Sequence, residues 1–326
     1  MIYIDSASTD ACENFALEDF VIEREGWHAP VLLFWRTRPT LMLGNFQNVY
    51  AEIDLPYARE KGLAVVRRRS GGGTIFTDPG SWQYSCFFPH AKGEDADFRQ
   101  AASGVCDALR ALGVPAEFNG RNDLVVGGRK ISGNARHVHP QGVLHHGSLL
   151  FDTDFETMQR ALTPPADKIA GKGVASVRGR VANISEFLTQ PMTALEFKKK
   201  MLDHLLSPSD EIYELSREES IEIAARADRY RSWEWNFANG PKFEISRKRR
   251  FAGGQVECAL NVREGRIAEV RLYGDFFASG DLAPLYAALV GTRYERESLR
   301  AALSEFCVSA LIAGVDNQNL LDALID

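Results

Sequence analysis

Three consecutive glycines, Gly71–Gly73, constrain this 326-residue chain more than any other feature. They follow Arg67–Ser70, three arginines and a serine, and an apolar strand signal over Leu63–Val66. Glycine lets the backbone take positive φ and approach a ligand closely, and successive N–H groups in such a bend can bind an anion. Arginines add charge-assisted bonds to phosphate or carboxylate. The loop therefore predicts an anion site; the alternative is a hairpin turn with solvated arginines.

The spacing of these glycines also excludes two common phosphate loops. It is neither G-x-G-x-x-G nor G-x-x-x-x-G-K-[ST], so the loop is not a dinucleotide fingerprint or a Walker loop.

A second region of interest is a predicted hairpin. Gly127–Gly128, between two apolar runs, indicates a two-residue turn. Strand positions alternate faces, so Lys130 can point inward and meet a phosphate or polarise a carboxyl oxygen. The alternative is a solvent-facing lysine beside a turn. Asp123 is a candidate Mg²⁺ ligand, because hard cations take carboxylate oxygens together with nucleotide phosphates; otherwise it caps the turn after Asn122.

Charge and cysteine content limit the classes of partner and compartment. The chain has 38 Lys+Arg and 44 Asp+Glu, a formal charge of −6, which argues against nucleic acid as the main partner. No run approaches the roughly 18 apolar residues of a membrane span, and no secretory signal is visible. The five scattered cysteines form no C-x-x-C pair, as is usual in a reducing compartment. We expect a cytoplasmic protein with no membrane or nucleic-acid partner.

Three helices are marked by local patterns. Apolar residues at spacings of three and four predict a helix over 98–112. S/T-x-x-E starts at Thr193 and Ser216 predict two more, because the side chains of the first and fourth residues can each pair with the other's backbone N–H.

The character of the chain changes near residue 240. Asn239–Pro241 is a strong turn signal. Beyond it, apolar residues alternate on both sides of Glu264–Gly265, which predicts a β-meander, and helical patterns follow. We expect one domain over 1–240 and a small α+β domain over 241–326.

In combination, these stretches resemble the lipoate–protein ligase A family. That family's R-R-x-S-G-G-G, N-D-L and K-x-S-G motifs are matched in order, and the similarity covers nearly the whole chain. The matching segments are Arg67–Gly73, Asn122–Leu124, Lys130–Gly133, His146–Leu150, Lys172–Asn183 and Ser232–Phe237.

Two positions depart from the family pattern. Thr77 stands where the family usually has His, which puts in doubt an imidazole contact to the nucleotide, and Ser81 stands where it usually has Asn. Ser81 can still form hydrogen bonds. The resemblance implies an α+β fold, with a mixed-sheet catalytic domain of the biotin/lipoate ligase type and a small C-terminal α+β accessory domain.

The resemblance also implies a two-step reaction. Lipoate and ATP, with Mg²⁺ as cofactor, give lipoyl-AMP and pyrophosphate. A lysine of a lipoyl carrier domain then takes the lipoyl group and AMP leaves. Such carrier domains belong to E2 subunits of 2-oxoacid dehydrogenases and to the glycine cleavage H protein.

Roles for individual residues follow by analogy with the family. Lys130 would be catalytic, bridging the α-phosphate and the lipoyl carbonyl, and Asp123 a metal ligand. Lipoate binding is assigned to Lys130, Gly73 and Arg68. Binding of ATP or the adenylate is assigned to Arg68, Gly71, Gly72, Gly73, Thr74, Ile75, Phe76, Lys130 and Arg178.

Other segments are predicted to enclose the adenylate and the lipoyl tail, and one histidine pair is interpreted as structural. The loop Lys172–Asn183 would close over the adenylate, because an acyl adenylate hydrolyses in water; the alternative is an ordinary surface loop. His145–His146 is interpreted as structural. Candidate walls of an apolar tunnel for the lipoyl tail are Trp35, Leu43, Phe46 and Ile75.

Two alternative functions remain at the level of sequence. An octanoyl or lipoyl carrier-to-carrier acyltransferase needs a cysteine nucleophile, but the relevant region, Ala161–Ala166, has none. A non-catalytic lipoate-binding module is kept open by Thr77 and Ser81.

The basic run Arg247–Arg250 could steer an acidic carrier domain or be a solvated strand face.

Overall fold

A computed structural model describes residues 1–91, 98–119, 122–162, 177–238, 243–252, 254–274, 276, 278 and 281–326. The chain divides into two compact units, Met1–Ser232 and Trp233–Asp326. The boundary predicted after residue 240 falls in 239–242, outside the described residues, and stays a prediction. Among the described residues, no helix has the length and apolar character needed to cross a membrane.

Most strands of the first unit are short, with five residues or fewer. They are β1 (Ile2–Ile4), β2 (Val31–Trp35), β3 (Thr40–Leu43), β4 (Ala64–Arg67), β5 (Ile75–Thr77), β6 (Trp82–Pro89), β7 (Glu117–Asn119), β8 (Asp123–Val126), β9 (Arg129–His139), β10 (Gly142–Leu149) and β11 (Glu211–Ile212).

Eight of these strands form one mixed sheet in the order β11-β1-β2-β6-β10-β9-β8-β7. β1 is parallel to its two neighbours, β2 and β11. All neighbouring strands in the rest of the sheet, β2-β6-β10-β9-β8-β7, are antiparallel to each other. A second sheet, β4-β3-β5, carries the glycine bend between two of its strands. The bend is therefore fixed at both ends by strand pairing.

The helices of the first unit begin with the caps that the sequence predicts. Thr193 with Glu196 and Ser216 with Glu219 both form capping boxes. The helices are α1 (Ala11–Glu23), α2 (Val49–Glu52), α3 (Leu55–Glu60), α4 (Phe98–Ala111), α5 (Phe155–Ala161), α6 (Val177–Arg180), α7 (Ala194–Leu205) and α8 (Arg217–Arg231), with a 3₁₀ turn at Ile184–Phe187.

Helices cover both faces of the large sheet. On one face, α4 and α7 pack with sheet residues into a core that includes Leu109, Phe197 and Trp82. On the other, α1 places Phe15 against Trp35 of β2 and Tyr230 of α8. Because α1 is buried on most sides, its polar residues Glu18 and Asp19 are buried too.

The second unit contains the predicted meander. Its turn at Glu264–Gly265 has positive φ at both residues, 49° and 67°. The antiparallel strands are β12 (Phe243–Phe251), β13 (Gly254–Arg263) and β14 (Arg266–Gly274); the helices are α9 (Ala283–Leu289), α10 (Arg296–Ser304), α11 (Val308–Leu311) and α12 (Asn317–Ile325), after a π-helical turn at Glu234–Ala238.

Strand alternation divides the basic run on β12. Lys248 and Arg250 are exposed, whereas Arg247 and Arg249 are half-buried. Arg247 Nη1 lies 3.5 Å from the Leu324 carbonyl oxygen in α12. The reading of Arg247–Arg250 as one solvated face is therefore right for only two of its four residues.

Candidate active site

The glycine bend is packed tightly against a neighbouring loop. It connects β4 to β5, and Gly72 takes a φ of +94°. A Cβ placed on Gly44, just after β3, would lie 1.9 Å from the Gly72 carbonyl oxygen. Gly44 is therefore needed for close approach rather than for an unusual backbone angle.

Arg67 holds this neighbouring loop in place. Its side chain is fully buried, and Nη1 donates to the carbonyls of Gly44, Asn45 and Gln47 at 3.0, 3.1 and 2.7 Å. Burial lowers its pKa to about 10, so it stays charged at neutral pH. The expectation that Arg67 contacts an anion is wrong, because its guanidinium is buried among backbone carbonyls and Arg67 is absent from the cavity lining among the described residues.

Arg69 connects the glycine bend to α1 through ion pairs. Its Nε lies 2.9 Å from Asp19 Oδ1, and its Nη2 lies 3.2 Å from Glu23 Oε1. Burial raises the pKa of Asp19 to about 6, with Arg69 opposing that shift. Tyr230 donates to the second oxygen of Asp19 at 2.8 Å. Arg69 is thus committed to ion pairs within the fold.

Arg68 is the arginine of the three that lines a cavity. It donates to the carbonyls of Gly71 and Gly73 at 2.8 Å each, to the Met42 carbonyl at 2.9 Å and to Ser70 Oγ at 3.0 Å. Burial lowers its pKa to about 10, so the guanidinium remains cationic. It shapes the bend from within and places positive charge beside the cavity.

Lys130 reaches the same cavity from the predicted hairpin, whose turn glycines have φ of 56° and 78°. Its Nζ lies 2.8 Å from Asp123 Oδ1, an ion pair whose geometry is not that of a hydrogen bond. Nζ also lies 2.6 Å from where a Cβ on Gly133 would be, so glycine makes room for the ammonium. The backbone N–H of Ala182 donates to the Lys130 carbonyl at 2.9 Å.

The cavity has a polar and an apolar part. Gly72, Gly73, Thr74, Arg68 and Lys130 provide backbone and cationic groups, whereas the apolar lining comes from Phe15, Trp35, Met42 and Ile75.

Several predicted site residues lie elsewhere. Phe76 and Leu43 are buried and, like Gly71, are absent from the cavity lining among the described residues. Phe46 is 79% exposed, so its predicted place in a tunnel wall is wrong. The Arg178 side chain and the first part of the predicted closing loop, 172–176, lie outside the described residues.

His146 belongs to the cavity wall, which the structural interpretation of His145–His146 missed. Its Nε2 lies 2.6 Å from Ser70 Oγ, and its Nδ1 lies 3.0 Å from Glu18 Oε1. Strand alternation separates it from His145, whose ring contacts Phe88. Alternation shows that one of two adjacent histidines faces each side, but only packing shows which side holds the cavity.

Sequence reasoning also missed four polar residues of the cavity wall. They lie on or next to the strands of the large sheet. Two of them fall within segments that match the family, 122–124 and 146–150, but no pattern in those segments indicates that these side chains face a cavity. They are Gln83, Asn122, Asn134 and Ser148.

The two departures from the family pattern have structural roles. Thr77 Oγ1 lies 2.6 Å from Thr37 Oγ1 in a buried pair. Ser81 Oγ accepts from the Asp78 N–H at 2.8 Å and so closes a turn. Among the described residues, neither Thr77 nor Ser81 lines the cavity.

The cysteines offer no nucleophile at this site, since all five are described and none lines the cavity. Burial raises the pKa of Cys86 to about 12 and that of Cys12 to about 12. Both thiols are therefore protonated at neutral pH, whereas a thioester mechanism needs a thiolate.

The arrangement can bind an amphiphilic carboxylic acid next to a second anion. The backbone of Gly72–Thr74 and two cations line one part of the cavity, and aromatic and aliphatic side chains line another. Such a site favours a reaction in which negative charge must be neutralised near a hydrocarbon tail. An acid-activating protein on a mixed α+β sheet is the class that this fold and site define.

Comparison with known families agrees with this class. Residues 10–206 match the family model of the lipoyl protein ligase A/B catalytic domain, and residues 240–324 match that of the bacterial lipoate protein ligase C-terminus. The chain belongs to the lipoyl protein ligase A/B family, as the sequence motifs predict.

Individual relatives extend the agreement to the whole length. The chain is 35% identical over 331 aligned positions to lipoate-protein ligase LplJ of Bacillus subtilis, covering 99% of this chain and 100% of the relative. A solved bipartite lipoate protein ligase from Thermoplasma acidophilum has a TM-score of 0.62 at 25% identity, covering 72% of this chain and 94% of that one.

A solved lipoate-protein ligase A bound with ATP has a TM-score of 0.60 at 23% identity, covering 72% of this chain and 97% of that one. It supports the fold. The predicted fold class, a mixed-sheet α+β domain with a small α+β accessory domain, is confirmed.

Proposed function

We propose that this protein is an ATP-dependent lipoate–protein ligase. The lipoate carboxylate attacks the α-phosphorus of ATP, forming lipoyl-AMP and releasing pyrophosphate. A lysine amine of an acceptor protein then attacks the lipoyl carbonyl, an amide bond forms, and AMP leaves. The observation that carries the proposal is that Lys130 and the glycine bend, far apart in sequence, line one cavity together with the apolar side chains of Phe15, Trp35, Met42 and Ile75.

Charge neutralisation is the main demand of the first step. A carboxylate and an α-phosphate repel each other, and the barrier falls when fixed positive groups hold both in contact. Lys130 and Arg68 supply the charge, and the backbone of Gly72–Thr74 lines the cavity beside them, where its N–H groups would be donors fixed by the fold. Asp123 holds the Lys130 ammonium at 2.8 Å, which orients it before substrate arrives.

The described residues do not form a magnesium site of their own. They contain no group of three or more His, Cys, Asp or Glu side chains able to hold a metal. Asp123 offers a single carboxylate, and Lys130 already occupies one of its oxygens. Magnesium therefore enters our proposal as part of the Mg-ATP substrate, held mainly by phosphate oxygens and water.

The acceptors that we propose are lipoyl carrier domains, those of E2 subunits and of the glycine cleavage H protein. Support comes from the similar Thermoplasma ligase, whose lipoylation system includes an E2 lipoyl domain. A cytoplasmic location stays a prediction from the sequence.

Neither alternative function gains support from the site. The carrier-to-carrier acyltransferase lacks a thiol in the cavity. The non-catalytic binding module rested on Thr77 and Ser81, whose side chains bond within the fold.

Replacing Lys130 tests the proposal. Lys130→Met keeps much of the stem and removes the charge, so kcat for lipoate-dependent exchange of pyrophosphate into ATP should fall about 10²- to 10³-fold. The melting temperature should change little, because the side chain is 37% exposed. Lipoylation of an apo-lipoyl domain, read by mass spectrometry, should fall in parallel.

Lys248→Met is the matched control, since Lys248 is also a strand lysine paired with a carboxylate, Glu257, at 3.0 Å. It should retain normal exchange. Undiminished exchange in Lys130→Met would contradict the assignment of Lys130. Wild-type protein that binds lipoate without any exchange would instead support the non-catalytic module.

A further inference from the structure

The amide of Gln83 is buried in the cavity wall without a partner. Gln83 is only 3% exposed, and neither Oε1 nor Nε2 has a hydrogen-bond partner among the described residues. Its neighbours in the cavity lining include Phe15, Trp35 and Met42. Leaving a buried donor and acceptor unpaired is unfavourable, so such a group in a binding cavity indicates a ligand atom that pairs with it.

Strand register places Gln83 of β6 two strands away from β9, the strand that carries Lys130. Gln83 of β6 is opposite Ser148 of β10, and Ser148 Oγ is 3.3 Å from the backbone N of Gly133 in β9. The Lys130 ammonium lies over Gly133. Two strand spacings, about 10 Å in total, therefore separate the backbone of Gly133, beside the ammonium, from the backbone of Gln83.

This separation matches the length of the acid. An extended chain advances about 3.4 Å for every three bonds, so about eight or nine bonds span 10 Å. If the carboxylate lies at Lys130, as the proposed function requires, the far end of an eight-carbon acid lies against Gln83. The amide therefore meets the part of the acid in which lipoate differs from octanoate.

We propose that Gln83 is a specificity-determining residue that selects acids with sulfur or another hydrogen-bonding atom at the far end of the tail. The Nε2–H group can donate to a dithiolane sulfur, which is a weak acceptor. The terminal methyl of octanoate leaves both amide atoms unpaired. A site that offers hydrogen bonds discriminates against an analogue lacking the complementary atom.

Gln83→Met is the direct test, because methionine has nearly the length of glutamine and no amide. The lipoate-to-octanoate ratio of kcat/KM in pyrophosphate exchange should fall about 10-fold, which is the effect of one net hydrogen bond. Gln141→Met is the matched control. It makes the same chemical change at a glutamine whose Oε1 is also buried without a hydrogen-bond partner but which is not in the cavity lining among the described residues, so the ratio should stay at the wild-type value.

A second probe separates hydrogen bonding from tail shape. 8-Hydroxyoctanoate has an unbranched tail whose hydroxyl can both donate and accept, so wild-type protein should prefer it to octanoate, and Gln83→Met should not. Gln83→Leu serves in the same assays if Gln83→Met does not fold.

The experiments can overturn the role of Gln83 and the proposed ligase reaction independently of each other. Exchange that proceeds with an unchanged acid ratio in Gln83→Met overturns the role of Gln83 and leaves the ligase proposal standing. If wild-type protein shows no exchange, calorimetric Kd ratios for the same acids decide the role of Gln83. An equal ratio in wild type and variant would then overturn it.

Discussion

The contact between Gly44 and the glycine bend leads to a specific prediction. In Gly44→Ala, the added Cβ would lie 1.9 Å from the Gly72 carbonyl oxygen, whereas ordinary contact begins at 3.4 Å. The two backbones must therefore separate by about 1.5 Å, the difference between these distances. Because strand pairing fixes both ends of the bend, the shift falls on Gly72 and Gly73, which line the cavity.

Such a displacement should affect catalysis more than stability. Misplacing reacting groups by about 1 Å can lower a rate about 10²-fold, so kcat/KM for lipoate-dependent pyrophosphate exchange should fall by about that factor. Forced overpacking should lower the free energy of unfolding by about 1–3 kcal/mol. Both quantities are measurable on the same preparation, by exchange assay and by urea denaturation.

Gly104→Ala in α4 is the control. Its added Cβ would meet its nearest heavy atom, Leu205 Cδ2, at an ordinary 3.4 Å. Alanine in a helix interior should raise stability by up to about 1 kcal/mol and leave exchange unchanged. Normal exchange in Gly44→Ala would refute the argument that the bend must keep its position to bind substrate.

Two further predictions concern buried charged residues. Arg67→Lys should lower the free energy of unfolding in urea by about 2–4 kcal/mol, because the lysine side chain is one atom shorter and its ammonium cannot reach the place of Nη1, which leaves buried carbonyls unpaired. The exposed variant Arg59→Lys should change it by less than about 0.5 kcal/mol, and equal losses would contradict the reasoning. Burial raises the pKa of Asp19 from 3.8 to about 6, so its contribution to stability is present below pH 3.8 and lost as pH rises through 6. Relative to Asp19→Asn, wild type should therefore lose about 1–3 kcal/mol of unfolding free energy between those pH values, and parallel pH profiles would count against this pKa shift.

Local sequence rules predicted the elements that depend on neighbouring residues. The capping boxes at Thr193 and Ser216 and the turns at Gly127–Gly128 and Glu264–Gly265 are all present. Each depends on hydrogen bonds or backbone angles within a few residues, so the sequence contains the whole cause. The family motifs are informative for a different reason. Their order along the chain indicated the family and the fold class, and the comparisons confirm both.

Charge type alone did not predict what the three arginines do. Arg67, Arg68 and Arg69 are consecutive, yet one bonds a loop, one lines the cavity and one pairs with α1. Only Arg67 lies in a strand, and the contacts of the three guanidinium groups include the loop after β3, β3 itself and α1. The role of each guanidinium is therefore set by groups distant in sequence.

The sequence by itself determined the family, the local turns and caps, and the presence of Lys130 and a glycine bend. Only the tertiary structure brought these two together, placed His146 against Ser70 and left the Gln83 amide unpaired in the cavity wall. The physical reason is the separation in sequence between the residues that interact. A cap or turn is complete within four or five residues, whereas a cavity forms between strands whose order and register depend on packing of the whole sheet.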